Sequence, residues 1–125
     1  MLKKIARALG EKSFNRKARR WLTEKYGDVF TWRAALRLEG AADEHIFSAM
    51  AKDMSVVCEV KYFAPDCAEL TEEERVQLAV AAFGMAAFPA ATEKLLIVPK
   101  LKSGAVRDWR AAAGEAPVSV TLTEL

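Results

Sequence analysis

The 125-residue chain contains two cysteines, Cys58 and Cys67, and one histidine, His45. Two cysteines are too few for the disulfide framework of a small secreted domain, and they lack the second pair that a structural zinc site requires. The sequence also contains no glycine-rich phosphate loop and no nucleophile elbow. These absences argue against several common enzyme classes, and free thiols indicate a cytoplasmic protein.

Long hydrophobic runs are also lacking. The longest apolar stretch, residues 76–89, is interrupted by Gln77 and Gly84 and is too short to span a bilayer. The first twelve residues do not form the continuous apolar segment of a secretory signal, so we expect no membrane association. With 52% hydrophobic and 29% charged residues, the composition predicts one ordered domain over residues 1–125.

The charge of the chain is unevenly distributed. Through Lys25 there are nine basic and two acidic residues, a balance of +7, whereas the whole chain carries +2. A polyanion would meet this basic segment first, because neutralised phosphates release their counterions. Residues 1–12 form a candidate basic arm. The candidate nucleic-acid contacts are Lys12, Arg16, Lys17, Arg19 and Arg20. The alternative is that these charges are a solvated helix face.

Periodicity predicts the elements of the first half of the chain. Apolar residues at helical spacing predict a helix over residues 13–26, with Ser13 as its N-cap and Gly27 at its end. Residues 2–9 form a separate helical turn or a mobile arm, since Gly10 interrupts the pattern. Strands are predicted over residues 29–38, 45–52 and 55–63, with a tight turn at residues 53–54.

In the second half, Thr71 and Glu74 form a capping box at the start of a helix. One face of that helix carries Val76, Val80, Phe83 and Ala87. A buried central strand over residues 95–98, a short helix between Ser103 and Gly114, and a half-buried strand over residues 118–123 follow. The order α-β-β-β-α-β-α-β predicts an α/β fold, with a mixed β-sheet flanked by helices.

Glu59 and Lys61 are the residues that most suggest chemistry. They lie two apart on a predicted central strand and therefore share a face of the sheet with Val57, whereas Cys58, Val60 and Tyr62 point the other way. Burying a carboxylate and an ammonium is unfavourable unless they are paired or liganded. A hard cation such as Mg²⁺ on Glu59, with Lys61 beside an attacking water, accounts for them. A salt bridge at a sheet edge is the alternative.

The basic helix, the early strands and Glu-x-Lys on the third strand resemble the PD-(D/E)xK, or restriction-endonuclease-like, nuclease superfamily. The resemblance covers residues 13–125 and is closest to compact members of the Holliday-junction-resolvase type. It implies a restriction-endonuclease-like fold and cleavage of DNA phosphodiesters with Mg²⁺ or Mn²⁺. It also implies action on branched DNA, as a homodimer or within a larger DNA-processing assembly.

Residue by residue, Glu59 and Lys61 match the Glu-x-Lys motif. The aspartate of the family aligns with His45, so Asp43 or Glu44 would have to substitute through a shift or bulge. The resemblance thus implies the catalytic candidates Asp43, Glu44, His45, Glu59 and Lys61, with Asp43 and Glu59 as metal ligands. The glutamate of the first helix is replaced by Asn15, with Glu11 as a stand-in, and Gln77 resembles a polar residue that some members aim at the site.

Two hypotheses follow. The first is a metal-dependent DNA endonuclease in which Lys61 activates water. The second is a nuclease-like fold that no longer cuts and serves as a DNA-binding or protein-interaction subunit, as the departures at His45 and Asn15 suggest. Trp21, Trp32 and Trp109 are expected in the core or at an interface, although Trp32 on an early strand could stack a nucleobase.

Overall fold

A computed structural model describes residues 2–37, 40 and 42–125. Within these residues the chain forms three helices and five strands in the predicted order. The helices are α1 (Leu2–Tyr26), α2 (Glu72–Ala86) and α3 (Ala105–Ala111). The strands are β1 (Phe30–Leu36), β2 (His45–Ala51), β3 (Val56–Val60), β4 (Glu93–Val98) and β5 (Thr121–Glu124). No helix of this described part is long and apolar enough to cross a membrane.

The five strands form one open sheet in the order β1-β2-β3-β4-β5. The pairs β1/β2 and β2/β3 are antiparallel, and β3/β4 and β4/β5 are parallel. The early meander has short connections, whereas each parallel pair is joined through a helix, as parallel pairing requires. The predicted α/β class and mixed sheet are confirmed, and β3 is the central strand.

Helices cover both faces of the sheet. The α1-side cluster joins Phe14, Ala18 and Leu22 of α1 to strand residues that include Ala49 and Cys58. The opposite cluster is built around α2 and α3 and is centred on these buried side chains: Phe47, Val57, Leu78, Met85, Leu96, Val98, Val106 and Trp109. The predicted burial of residues 95–98 is confirmed, because β4 has a strand on each side and a helical layer on each face.

The predicted start of α1 is wrong. The helix does not begin at Ser13 but runs unbroken from Leu2 through Gly10, so residues 2–9 are neither a separate turn nor an arm. Gly10 is explained by packing: a Cβ atom at this position would collide with the hydroxyl of Tyr62. Glycine lowers helix stability but permits close approach. Here it lets the segment that follows β3 lie against the helix.

The start of α2 is as predicted. Thr71 Oγ1 accepts from the Glu74 amide at 3.1 Å, and the Glu74 carboxylate accepts from the Thr71 amide at 2.9 Å. The helix packs through Leu78, Ala81, Ala82 and Met85. The face that carries Val76, Val80 and Phe83 is exposed instead. Both faces of α2 are apolar, so periodicity alone could not identify the buried one.

Several predicted boundaries shift. Strand β3 ends at Val60 rather than at residue 63, and β5 spans Thr121–Glu124 rather than 118–123. Val118 is 93% exposed, whereas Val120 is buried before the strand begins. The N-cap of α3 is Gly104 in the left-handed region, and Ser103 Oγ accepts from the Ala105 amide at 3.3 Å without being the cap residue. Gly114 lies in the turn beyond α3.

Candidate functional site

Strand β3 alternates as predicted around the Glu-x-Lys motif. Val57 belongs to the cluster under α2, whereas Cys58, Val60 and Tyr62 pack on the α1 side. Lys61 follows the end of β3, and its amide donates to the carbonyl of Ile97 at 2.9 Å, which keeps it alongside β4. Among the described residues, no ion pair within 4.0 Å joins Glu59 to Lys61. The salt-bridge alternative is therefore not the arrangement in this structure.

Glu59 is held by Ser48, which lies directly across from it on β2. Regular pairing of β2 and β3 covers Met50–Val57 and Ala49–Cys58, and the next opposed positions are Ser48 and Glu59. There the Ser48 amide donates to Glu59 Oε1 at 2.8 Å, and the Val60 amide donates to Ser48 Oγ at 2.9 Å. Side chains thus replace the backbone ladder at this end of the strand pair.

The Glu59 side chain is enclosed in the sheet. Glu59 is 5% exposed and is the charged residue among the buried side chains of the described chain. Burial raises the pKa of its carboxyl, while the Ser48 amide and the charges of Lys61 and His45 act to lower it. Glu59 therefore serves as a structural acceptor within the sheet in this conformation, rather than as a carboxylate presented to solvent.

His45 is held beneath α2. A Cβ atom at Gly84 would lie 2.9 Å from His45 Cε1, so this helix glycine makes room for the imidazole. The ring also packs on Phe47, with centroids 4.5 Å apart. Its Nε2 atom is buried, and no hydrogen-bond partner for it lies among the described residues. The position aligned with the family aspartate is thus occupied by a packed ring.

Asp43 and Glu44 are exposed in the β1–β2 connection. Their assignment as site residues stays a prediction, and residues 38, 39 and 41 of the same connection lie outside the described residues. Within the described chain, no group of three or more His, Cys, Asp or Glu side chains is placed to hold a metal ion. Magnesium prefers several oxygen ligands in octahedral geometry. With Glu59 bonded to Ser48, the side chains as arranged do not form such a donor set.

Three other predicted residues do meet. A polar cavity of about 170 Å³ is bordered by Lys61, Glu11 and Gln77, together with Arg7, Tyr62 and Glu74. It lies between the first half of α1, the end of β3 and the first turns of α2. The continuous helix α1 is what brings Glu11 to this place. Lys61 therefore has polar neighbours from both helices, as the predicted roles of Glu11 and Gln77 require.

A larger basic cleft of about 620 Å³ adjoins this cavity, and Glu11 and Val60 border both. It lies between α1 and the β1–β2 hairpin. Its four cationic side chains are Lys12, Arg16, Arg19 and Arg33, and its other polar or aromatic members include Asn15, Trp32 and Ser48. Among the described residues none of these four cations makes an ion pair. The cleft is therefore open to an anionic ligand.

The five predicted nucleic-acid contacts separate into two groups. Lys12, Arg16 and Arg19 border the basic cleft, together with Asn15. Lys17 and Arg20 are exposed but are not among the residues that line it. This separation follows from helical geometry: at about 100° per residue, Lys12, Arg16 and Arg19 lie within about 60° of one another around α1, whereas Arg20 and Lys17 lie about 40° and about 100° beyond Arg16.

Arg33 and Ser48 escaped the sequence-based prediction. The register of β1 and β2 leaves them opposite one another, between the pairs Trp32–Ala49 and Ala34–Phe47. Arg33 has a φ of 54°, in the left-handed region that non-glycine residues rarely adopt. On β2, Phe47 and Ala49 belong to clusters on opposite faces, although alternate residues of a regular strand share a face. The hairpin thus changes face at this point.

Comparisons of the chain with protein-family models, curated proteins and solved structures gave no match in any of the three. The resemblance to PD-(D/E)xK nucleases accordingly rests on the order of elements and on Glu59 and Lys61.

Proposed function

We propose that this chain is a nucleic-acid-binding protein with a nuclease-like fold, and that the basic cleft contacts the phosphate backbone. The observation that carries the proposal is the convergence of Lys12, Arg16 and Arg19 from α1 with Arg33 from β1. Three of the cations share one helix and the next element of the chain adds the fourth, so the fold concentrates positive charge that was already in excess in the first 25 residues. This is the second of the two sequence-based hypotheses.

The distribution of positive charge around the cleft favours a polyanion. Four cations around one concave surface lower the energy of several adjacent phosphates at once, and each neutralised phosphate releases condensed counterions. Glu11 borders both the cleft and the polar cavity, so the charged side chains around the cleft are four cations and one carboxylate. A single small anion would not require so extended a charged surface.

Titration of fluorescently labelled DNA with the protein at several salt concentrations tests the proposal. We expect measurable binding whose logarithm falls steeply with the logarithm of salt concentration, without a requirement for divalent metal. Binding of single-stranded, duplex and four-way-junction DNA is compared in the same buffer. Absence of salt-dependent binding to all three would refute the proposal.

Metal-dependent DNA cleavage is a second candidate, favoured by the polar cavity that joins Lys61 to Glu11 and Gln77. It is the first of the two sequence-based hypotheses, with Mg²⁺ or Mn²⁺ as the cofactor. The donor set described above does not fit a bound metal while Ser48 holds Glu59, so no catalytic step is assigned to the metal.

A cleavage assay separates the two candidates. The protein is incubated with the same three DNAs in Mg²⁺, Mn²⁺ or EDTA, alongside Glu59→Gln and Lys61→Ala. Cutting that requires metal and disappears in both variants would establish the nuclease. We expect the variants to bind DNA like the parent protein, since neither side chain borders the basic cleft.

A further inference from the structure

A series of contacts between flat side chains leads to the basic cleft. Tyr26 meets Phe30 edge-on, with centroids 5.7 Å apart, and Phe30 meets Trp32 at 5.5 Å. The guanidinium carbon of Arg19 lies 4.4 Å from the centroid of Trp32. Arg19 is exposed, so this series of contacts ends in a planar cation that borders the cleft. A flat ligand group could therefore stack on the face of the Arg19 guanidinium that points away from Trp32.

The shape of the cleft restricts what that group can belong to. A volume of about 620 Å³ lies within the range of small-ligand sites, roughly 300–1,000 Å³. Duplex DNA is usually read by an element that protrudes into a groove, whereas a cationic channel with stacking side chains is typical of single-strand binding. Unpaired bases stack on aromatic rings and on arginine guanidinium planes.

The backbone at Arg33 supplies an independent observation. A left-handed conformation is unfavourable for a side chain with a Cβ, and such residues concentrate at binding and catalytic sites. Arg33 is exposed and makes no ion pair within the described residues, so its guanidinium is available to a ligand. The hairpin changes face at Arg33, and both Arg33 and its neighbour Trp32 border the cleft.

We propose that the basic cleft binds an unpaired nucleotide of a nucleic-acid strand, with its base stacked on Arg19 and its phosphate paired with Arg33. This inference rests on the proposed nucleic-acid binding and specifies its ligand as an unpaired segment rather than a continuous duplex. Trp32 acts by holding the Arg19 guanidinium in place. Lys12 and Arg16 contact neighbouring phosphates.

Fluorescence anisotropy with three labelled DNAs tests this proposal at one low salt concentration. The probes are a twelve-residue oligothymidylate, a strand of the same length made of abasic residues, and a twelve-base-pair duplex. The first two have the same number of phosphates. We expect the oligothymidylate to bind about fivefold to a hundredfold more tightly than the abasic strand, as base stacking predicts.

Arg19→Lys keeps the charge and removes the plane, so it should abolish most of the preference for thymidylate over the abasic strand. Arg20→Lys is the matched control, because Arg20 is the adjacent arginine and does not border the cleft. It should leave that preference unchanged. Equal loss of preference in both variants would overturn the role of Arg19.

Arg33→Gly should weaken binding of both single strands while leaving the melting temperature unchanged or raised by about 3 °C, since glycine adopts a positive φ without strain. Arg33→Lys, which keeps charge and backbone strain, should retain more affinity. A lower melting temperature with unchanged affinity for Arg33→Gly would show that Arg33 serves the fold and would overturn its phosphate contact.

The failures of the two proposals are distinguishable. Equal binding of thymidylate and abasic strands, or tighter binding of the duplex, would overturn the unpaired-nucleotide site while nucleic-acid binding stands. No salt-dependent binding of any probe would refute both.

Discussion

The basic cleft and the buried carboxylate of Glu59 both involve Ser48, which borders the cleft and bonds to Glu59, yet the two differ in how accessible they are to a ligand. The cleft is open, and within the described residues its four cations have no ion-pair partners. Glu59 is enclosed, bonded to Ser48 and adjacent to a half-buried Lys61. The exposed cations of the cleft and the enclosed carboxylate of Glu59 are therefore separate features of the fold, which substitutions can change independently.

Removing two cations from the cleft should weaken DNA binding more than removing two from outside it, and this is the largest effect we expect. We expect Arg16→Gln/Arg19→Gln to weaken oligothymidylate binding at low salt by at least about tenfold and to lower the salt dependence by about two phosphate contacts. Lys17→Gln/Arg20→Gln removes the same charge from outside the cleft. Anisotropy at four salt concentrations compares the pairs, and equal effects would mean that the cleft is not the binding surface.

The hydrogen bonds around the enclosed Glu59 depend on Ser48. In Ser48→Ala the Val60 amide loses its acceptor, so we expect the free energy of unfolding to fall by about 1–3 kcal/mol. Urea denaturation measures this change. Ser55→Ala is a control, because Ser55 also bonds to a carboxylate, that of Asp53, but at an exposed turn where water can replace it. A larger effect at Ser55 would contradict the structural role of Ser48.

Because His45 packs against α2, the effect of Gly84→Ala on the free energy of unfolding should change sign when the imidazole is removed. Gly84→Ala should destabilise the fold by about 1 kcal/mol net, because displacing the imidazole outweighs the gain in helix propensity. In a His45→Ala background the same change should instead stabilise by up to about 1 kcal/mol. Thermal or urea unfolding of the parent protein, the two single variants and the double variant completes this double-mutant cycle. The same sign in both backgrounds would show that His45 does not fill this space.

The smallest effect concerns the charge of Glu59. Because folding raises the pKa of this carboxyl, its contribution to stability is fully present below the ordinary glutamate pKa of about 4.3 and is lost as pH rises through the folded value. Glu59→Gln should therefore become progressively more stable relative to the parent protein as pH rises over that window. Urea unfolding between pH 4 and 8 measures it, and a difference independent of pH would contradict the raised pKa.

Much of the fold was predictable because local signals agreed with the final arrangement. The Thr71–Glu74 capping box, the turn at residues 53–54 and the apolar run before Pro99 each specify an element through neighbouring residues. Gly10 was misinterpreted because its reason lies in Tyr62, 52 positions away. A glycine that ends a helix and one that admits a ring are the same letter in the sequence.

The candidate site was predictable in part, for the same reason. The alternation around Glu59 follows from a strand period of two, and Glu11, Gln77 and Lys61 do border one cavity. Ser48 could be identified only once the register of β2 against β3 was known, and Arg33 only once its backbone angle was known. Neither residue belongs to a motif, so composition and spacing carry no signal for them.

Because α1 is one unbroken helix, its anchored second half fixes the directions in which the side chains of its first half point. The helix is anchored by Phe14, Ala18 and Leu22, whereas Leu2, Ile5 and Leu9 are exposed. At 1.5 Å per residue, the helix extends about 18 Å beyond Phe14 towards its start. Each added residue turns a helix by about 100°. One residue inserted between Arg7 and Gly10 would therefore turn Arg7 away from the polar cavity. The main effect of the insertion would be this rotation rather than the added length.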